Sequence, residues 1–491
     1  MRVKRSFSIL FLCATLVVNA SAVGNLPELG DASQSDLSSM AERKMGASIM
    51  RDIRWQEPSY LDDPEVELYL NKLGSRLALA SDAPDQPFFF FGINEKSVNA
   101  FALPGGYIGV NAGLIVAAQS ESELAGVIGH EIGHVTQRHI ARSVSNQKMV
   151  GWAMLASMLA GLAAARSNPQ LAQAAIMGGQ AAALQTQLAY SRDFEREADR
   201  TGVQTLEKAG FDARGMVSFF ERLQKMTRVY DMGQGSYLST HPLTQERISD
   251  IGNRVAEAKY KQVVDSEDFL LVQAKLQAME GSALEAIHLF ETKLEKSSAT
   301  DWPVRYGLAS AYLRDNRAQD AQKTLQAFDK APAKWVQHPM VANLKAAVFG
   351  QLKQPEAQIR TLEEAHKRLP GELSVSYALS DAYVSAGFAS KAVTLLRSET
   401  QKLPSDARLW ERLAKANAQN KDIAGQHRAQ AELYVLQQRL YEAVNQLELA
   451  QKAPDADFYE SSAIEARLRE VRRRYELELK EKLKDNNPLR P

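Results

Sequence analysis

Residues 128–137 have the sequence Ile128-Gly129-His130-Glu131-Ile132-Gly133-His134-Val135-Thr136-Gln137, which contains the pattern His-Glu-x-x-His. On an α-helix, residues four apart lie on one face, so the imidazoles of His130 and His134 can reach one metal ion. Glu131 lies beside them without having to bind the metal. Its carboxylate is then free to accept a proton from a water that the metal activates. The stretch predicts a helix over residues 118–142 that holds a catalytic metal.

The pattern is specific for a chain of this composition. With 8 His and 59 Asp+Glu in 491 residues, random placement gives roughly 0.02 such motifs. The alternative is an ordinary amphipathic helix with two polar residues on one face. The apolar neighbours Leu124, Val127 and Ile132 predict a half-buried helix in either case. Burying two imidazoles without a metal or another partner would be costly, which favours the metal.

Length and charge narrow the class of protein. A chain of 491 residues is expected to form two or more domains with sizeable cores. Its 59 basic and 59 acidic residues balance. We therefore expect no nucleic-acid partner, since such proteins carry a basic surface.

The N-terminus has the pattern of a secretory signal peptide. Basic residues within positions 1–5 precede an apolar run at 7–18 and the small-x-small sequence Ala-Ser-Ala at 20–22. We predict a signal peptide over residues 1–22, with cleavage near Ala22. The only cysteine, Cys13, lies in the apolar run, and Leu12 before it is too large for a lipoprotein signal. A mature chain without cysteine suits an oxidising compartment, and the signal proportions indicate the periplasm.

Two short strands are predicted upstream of the metal helix. The aromatic run 88–93 indicates a buried strand, and Pro104-Gly105-Gly106 marks a turn before a strand over 107–110. A hairpin at this place can offer an open edge to an extended peptide. A plain structural hairpin is the alternative, and the sequence pattern does not separate the two.

Residues 149–166 form the most apolar stretch of the mature chain. The stretch is rich in Ala and Gly and is close to the lower length limit for crossing a bilayer. A helix in a core or against a partner is favoured over a membrane span, so we expect no stable transmembrane segment.

Residues 191–200, Ser-Arg-Asp-Phe-Glu-Arg-Glu-Ala-Asp-Arg, place Glu195 and Asp199 on one helical face. A site with two His still needs a third protein ligand, which a carboxylate from a second helix commonly supplies. A His-x-x-Gly-x-x-His extension fails, because position 137 is Gln and His139 falls off the ligand face. Asp199 could hold a ligand His in place. A charged, solvent-facing helix is the alternative interpretation.

His241 and Arg247 follow a Gly-rich loop in the sequence Thr240-His241-Pro242 with Arg247 downstream. A lone His before Pro is usually a loop residue, and Arg247 begins a predicted helix. Either side chain could reach the metal site, but spacing alone does not decide this.

Together these motifs resemble the M48 family of zinc metallopeptidases. The resemblance covers roughly residues 40–260 and includes the segment Asn99 to Gly106. It implies one Zn²⁺ per chain and a substrate paired with the strand that follows Pro104-Gly105-Gly106. The roles it implies are zinc ligation by His130, His134 and Glu195, general-base catalysis by Glu131, and support of a ligand His by Asp199.

The C-terminal half shows a repeat. Leu308, Leu344, Leu379 and Leu413 begin similar segments at steps of 36, 35 and 34 residues. This is the period of tetratricopeptide repeats, in which helix pairs stack because one pair cannot bury its apolar face alone. We predict a mostly α (α+β) fold: a helical zincin-like metallopeptidase domain with a small β-hairpin or sheet, then an α-solenoid of TPR helix pairs. The predicted domains are 23–262 and 266–485, and further helices over 426–449 and 457–478 are expected to cap the array.

With the repeats and the signal peptide, the resemblance is to family members that act on outer-membrane β-barrel proteins. It implies a periplasmic endopeptidase and chaperone-like factor that degrades unfolded or stalled outer-membrane proteins, with its repeats on substrate or on the β-barrel assembly machinery. In such members a His matching His241 can fill the fourth zinc position and hold the site shut. The resemblance also implies that Arg247 assists catalysis. In that role Arg247 or a neighbouring donor would stabilise the oxyanion. A non-proteolytic TPR scaffold with a vestigial or permanently shut metal site is the alternative.

Overall fold

The computed structural model describes residues 37–146, 192–229, 237–256, 261–296, 298 and 300–485. The fold class is confirmed: the chain is mostly helical, with a small three-stranded sheet beside the metal helix and many paired C-terminal helices. The predicted signal peptide and the apolar stretch 149–166 lie outside the described residues. Within the described part of the chain, no helix combines the length and the apolar character needed to cross a bilayer.

Between residue 37, where the described part of the chain begins, and the sheet lie two helices, α1 (Ser39–Gln56) and α2 (Pro64–Ala80). Asp63 caps α2 by accepting hydrogen bonds from the Glu65 and Val66 amides, and Pro64 takes the first turn, where no backbone donor is needed. The apolar face of α2 is buried over its whole length, as the spacing predicts. Its buried residues include Val66, Leu70, Leu73 and Leu77.

The sheet has the strand order β1-β3-β2, with β1 at Phe89–Ile93, β2 at Ala100–Leu103 and β3 at Tyr107–Asn111. β1 pairs with β3 in parallel, and β2 pairs with β3 as the predicted antiparallel hairpin. Gly105 and Gly106 form the turn with φ angles of 79° and 92°, a region that favours glycine.

This strand order corrects one expectation. β3, the strand after Pro104-Gly105-Gly106, is central and has both edges occupied, so it cannot pair with a substrate. Within the described part of the chain, the hairpin's unpaired edge belongs to β2 instead.

The metal helix is interrupted rather than continuous. We expected one helix over 118–142, but after α3 (Ala112–Ala117) the structure has α4 (Glu121–Thr136) followed by α5 (His139–Asn146). Ser120 caps α4 by accepting from the Glu123 amide. The break has a local cause: Arg138 adopts a left-handed φ of 53°, and its guanidinium donates to the Leu37 carbonyl at 2.7 Å and to Glu42 at 3.1 Å.

Four helices complete the described N-terminal half: α6 (Arg192–Lys208), α7 (Arg214–Val229), α8 (Tyr237–Thr240) and α9 (Gln245–Ala256). Glycines let α6 lie directly against α4. A Cβ on Gly133 would be 2.4 Å from the Thr201 hydroxyl, and one on Gly202 would be 3.1 Å from the His130 amide. The close approach brings the carboxylates of α6 to the histidines of α4.

The C-terminal helices form consecutive packed pairs. Their bounds are Glu267–Met279 (α10), Ala283–Lys296 (α11), Trp302–Arg314 (α12), Ala318–Gln326 (α13), Ala333–Val336 (α14), Pro339–Gln351 (α15), Pro355–Arg368 (α16), Leu373–Ser385 (α17), Ala389–Lys402 (α18), Ala407–Gln419 (α19), Ile423–Leu436 (α20), Leu440–Gln451 (α21) and Phe458–Asp485 (α22). A left-handed residue recurs at the turn within successive pairs: Gly281, Asn316, Lys353, Gly387 and Lys421. The helical segment expected over 426–449 consists of two helices in the structure, α20 and α21.

The N-terminal end of α2 contacts the repeat helices through ion pairs. Lys275 of α10 lies 2.5 Å from Asp63 and 2.7 Å from Glu65. Arg408 of α19 lies 2.5 Å from Asp62 and 3.0 Å from Glu67. The same acidic segment thus connects the N-terminal half to both an early and a late repeat.

Candidate metal centre

His130 and His134 project from one face of α4 into the protein interior. The Nε2 atoms of the two rings are 2.9 Å apart. Both side chains are almost fully buried, with exposed fractions of 0% and 1%. Two imidazole nitrogens directed at one point, away from water, form half of a metal site.

Glu195 reaches the same point from α6. Its Oε2 is 3.5 Å from Nε2 of His130, and its Oε1 is 3.5 Å from Nε2 of His134. The crossing of α6 over α4 at Gly133 and Gly202 therefore places a third potential ligand opposite the two histidines.

His241 completes a four-residue cluster. Its Nδ1 lies 3.0 Å from Oε1 of Glu195, and its ring stacks on Tyr237 with a centroid separation of 4.6 Å. One ligand atom from each of His130, His134, Glu195 and His241 lies within 4.8 Å of the others. Tetrahedral zinc with bonds of about 2.1 Å holds its ligand atoms about 3.4 Å apart, so the spacing and the donor types fit that ion.

Glu131 is buried beside the cluster. Neither of its carboxylate oxygens makes a hydrogen bond of ordinary geometry with a described side chain, and Nε2 of His241 lies 3.5 Å from Oε1. Burial raises the pKa of Glu131 above its usual value, against the opposing effect of His241 and His130. A buried carboxylate without a side-chain hydrogen bond is costly to folding, which indicates a function that requires it there.

Asp199 and Arg247 form a second layer behind His130. Oδ1 of Asp199 lies 3.0 Å from Nδ1 of His130. Arg247 holds Asp199 with two hydrogen bonds of 2.8 Å, donates to the Pro242 carbonyl and lies 2.7 Å from Oε2 of Glu195. Most of the guanidinium donors are therefore used in organising the site, not directed at a reacting atom.

The carboxylates set the electrostatics of the cluster. Burial alone would lower the pKa of His130, but hydrogen bonds to Asp199 and Glu195 raise that pKa to about 9. Burial and the neighbouring histidines hold the pKa of His134 well below its usual value. Hydrogen bonds from His130 and His241 overcome burial and hold the pKa of Glu195 well below its usual range. The metal-free cluster thus combines an ionised carboxylate with a neutral His134, and both forms can bind a cation.

His139 is not one of the clustered ligand residues, as the sequence predicted, but it lies behind one of them. Its Nδ1 is 2.8 Å from Nδ1 of His134, and its Nε2 is 3.0 Å from Oε2 of Glu197. Burial lowers the pKa of His139 to about 4, although Glu197 opposes this. The helix break at Arg138 brings His139 back toward His134, and no helical periodicity could have revealed that.

All seven residues singled out from the sequence lie in or next to one cluster. His130, His134, Glu195 and His241 converge, Glu131 adjoins them, and Asp199 and Arg247 lie behind. This arrangement can bind a divalent cation and offers a carboxylate next to it to move a proton, which is the chemistry of metal-assisted hydrolysis.

The comparisons with known proteins agree with this geometry. The sequence model of Peptidase family M48 matches residues 64–255. The β-barrel assembly-enhancing protease of Escherichia coli (strain K12) is 31% identical over 456 residues, covering 92% of each chain. The chain belongs to peptidase family M48. It is a metallopeptidase with a buried metal-binding cluster.

Other M48 relatives match to different extents. A putative β-barrel assembly-enhancing protease of Vibrio cholerae is 32% identical over 423 residues, 85% of this chain and 86% of its own. The mitochondrial metalloendopeptidase OMA1 of Arabidopsis thaliana is 33% identical over 220 residues, 45% of this chain and 42% of its own. The likeness to the β-barrel assembly-enhancing proteases therefore extends over the repeats as well as the peptidase helices.

Proposed function

We propose that the protein is a periplasmic zinc endopeptidase with chaperone-like activity in the assembly and quality control of outer-membrane β-barrel proteins. The observation that carries the catalytic part is the convergence of His130, His134 and Glu195 beside the buried carboxylate of Glu131. We take residues 23–262 as the peptidase domain and 266–485 as the repeat domain.

In this proposal His130, His134 and Glu195 hold one zinc ion per chain. Bound there, zinc supplies Lewis acidity, which polarises a peptide carbonyl and lowers the pKa of water toward about 7. Glu131 accepts a proton from the attacking water and passes it to the leaving amine, for which its raised pKa is suited. Asp199 orients His130, and Arg247 balances the charges of Asp199 and Glu195.

The substrate in this proposal lies as an extended chain along the edge of β2 (Ala100–Leu103). That edge has no strand partner within the described residues, and β2 packs next to α4. A cleft of about 400 Å³ begins at the end of β2 and reaches His134, with Leu103, Gly105 and Arg138 in its wall. Backbone hydrogen bonds to a strand edge accept many sequences, which suits an enzyme acting on unfolded proteins.

His241 holds the site shut at rest in this proposal. Its position 3.0 Å from Glu195 and 3.5 Å from Glu131 puts an imidazole where the attacking water and the substrate carbonyl must enter. The His241→Ala variant should then cleave faster than the wild type while keeping its zinc.

The biological setting rests on the relatives and on the repeat array. Relatives similar over 85% or more of this chain are named β-barrel assembly-enhancing proteases. A groove of about 480 Å³ is lined by Tyr306, Tyr377 and Arg412 of the repeats and closed on one side by Pro64 and Glu65 of α2. We propose that stalled outer-membrane proteins or the β-barrel assembly machinery bind this array.

The test is the Glu131→Gln variant, purified with zinc and given an unfolded outer-membrane β-barrel protein. We expect normal folding and one zinc per chain, with cleavage reduced by at least about a hundredfold. Cleavage at the wild-type rate by the zinc-loaded variant would refute the mechanism.

A non-proteolytic scaffold with a permanently shut site is the second candidate, favoured by the presence of His241 within the cluster. If neither the wild type nor His241→Ala cleaves any unfolded substrate, yet both promote β-barrel assembly, the scaffold is the better account.

A further inference from the structure

His139 makes a chain of contacts that starts at a ligand of the proposed metal site. Nδ1 of His139 lies 2.8 Å from Nδ1 of His134, and Nε2 lies 3.0 Å from Oε2 of Glu197. The two imidazole rings meet edge to face, with an interplanar angle of 77°. His139 is fully buried. Its two nitrogens therefore connect His134 to a carboxylate.

The donors in this chain follow from Glu197. An ionised carboxylate only accepts hydrogen bonds, so Nε2 of His139 must carry the proton. Arg142 donates to the same oxygen of Glu197 at 2.8 Å, so this carboxylate already has a cationic partner. With its single proton on Nε2, an imidazole at position 139 has its lone pair at Nδ1, the atom that faces His134.

The proton position on His134 follows in turn. Because Nδ1 of His139 accepts, Nδ1 of His134 must donate, and Nε2 of His134 is left with its lone pair. That Nε2 is the atom 3.5 Å from Oε1 of Glu195 and 2.9 Å from Nε2 of His130. The lone pair that a metal needs is directed at the cluster before any metal binds.

Aromatic packing fixes the ring of His139. Phe194 stacks on it with a centroid distance of 4.5 Å and an interplanar angle of 12°. The guanidinium of Arg142 lies 4.6 Å from the centre of the same Phe194 ring. Phe194 and Glu197 lie on α6 on either side of Glu195, so the helix that brings Glu195 also holds His139.

The two histidines of the motif are thus anchored in different ways. Nδ1 of His130 meets Asp199 directly at 3.0 Å. Nδ1 of His134 reaches Glu197 only through the intervening ring of His139. A ligand His usually has its second nitrogen fixed by a carboxylate or carbonyl, and here a third histidine extends that link.

We propose that His139 is a positioning residue that, held by Glu197 and Phe194, fixes the tautomer and ring orientation of His134 so that its Nε2 lone pair faces the metal site. This inference rests on the proposed function in one respect, namely that His134 binds the metal through Nε2. It requires nothing of the substrate or of Glu131.

The first test reads the tautomer directly in the metal-free protein. Long-range ¹H–¹⁵N correlations of ¹⁵N-histidine-labelled protein at pH 8 report which nitrogen carries the proton, and His134→Gln identifies the signal. We expect His134 with its proton on Nδ1, although a histidine in water prefers Nε2. In His139→Phe, which keeps a ring against Phe194 but removes the acceptor, the preference should revert. A metal-free wild type with the proton of His134 on Nε2 would overturn the inference without any variant.

The second test measures zinc affinity by competition with a chromophoric chelator. His139→Phe should weaken zinc binding by about 10- to 100-fold. Glu197→Gln keeps an oxygen that can accept from Nε2 of His139, so its loss should stay within about threefold. The matched control is His338→Phe, the same change at another buried, carboxylate-paired histidine outside the metal site. Equal affinities for His139→Phe and His338→Phe would contradict the inference.

The proposed function and the role of His139 can be refuted independently of each other. If Glu131→Gln stays active, or no zinc-dependent cleavage is found, the proposed function fails and the tautomer result still stands. If the wild-type enzyme binds zinc and cleaves while His134 keeps its proton on Nε2 in the metal-free state, only the role of His139 is wrong.

Discussion

Replacing Arg247 by Ala should destabilise the metal-free peptidase helices strongly. Arg247 is only 4% exposed and lies within 2.7–2.8 Å of two carboxylates, Asp199 and Glu195, that are each 2% exposed. Removing one partner of a buried ion pair typically costs about 3–5 kcal/mol, because the remaining charge has neither water nor a partner. Protonated His130 can offset part of the charge on Asp199. We therefore expect the loss in free energy of unfolding to lie in the lower half of that range.

The assay is differential scanning calorimetry of EDTA-treated protein. For about 200 residues, each kcal/mol shifts Tm by roughly 2–4 °C, so the peptidase transition should fall by about 6–16 °C. Arg254→Ala is the matched control, since Arg254 lies on the same helix but pairs with Asp250 at the surface, with 40% and 41% of the two side chains exposed. Such a pair contributes at most about 1 kcal/mol. A Tm loss for Arg247→Ala no larger than for Arg254→Ala would refute this account of the buried charges.

Three further variants test other parts of the structure. Gly133→Ala should lower zinc affinity, because the new Cβ would meet the Thr201 hydroxyl at 2.4 Å and push α6 from α4, whereas Gly252→Ala has open space and should leave zinc affinity unchanged. A hydrogen bond from His338, with help from Lys72, holds the pKa of Asp268 at about 2. The associated stability, about 1–2 kcal/mol, is present above pH 4 and lost as the pH falls toward 2; thermal melts against pH should therefore show an acid loss that is smaller in Asp268→Asn than in the wild type by about this amount. Arg408→Ala should speed hydrogen exchange over residues 60–67, because it breaks the contacts with Asp62 and Glu67; unchanged exchange there would show that these pairs do not hold the two halves together.

Local patterns were sufficient to predict most of the site. Residues four apart on a helix share a face whatever the fold, so His130 with His134 and Glu195 with Asp199 could be paired from spacing alone. That α4 and α6 would meet could not be read from periodicity. It depends on the close approach at Gly133 and Gly202, and here the family resemblance supplied the missing step.

Two predictions were wrong, the single helix over 118–142 and the pairing of β3 with a substrate. Both depend on features that a local sequence pattern does not reveal. The apolar pattern around 118–142 does not reveal that Arg138 adopts a left-handed conformation, which ends α4 and returns His139 to His134. The Pro104-Gly105-Gly106 turn predicted the hairpin, but the parallel pairing of β1 with β3 is a long-range contact that closes one edge. The repeat period, by contrast, predicted the paired helices well, because each pair contacts mainly its neighbours in sequence.

The central claim is that one metal ion binds between α4 and α6. Its most direct test is an anomalous difference map at the zinc absorption edge, from crystals of the zinc-loaded Glu131→Gln variant. We predict one peak per chain within bonding distance of Nε2 of His130, Nε2 of His134 and a carboxylate oxygen of Glu195. A map without a peak among these three residues, or with its peak elsewhere on the chain, would contradict the account.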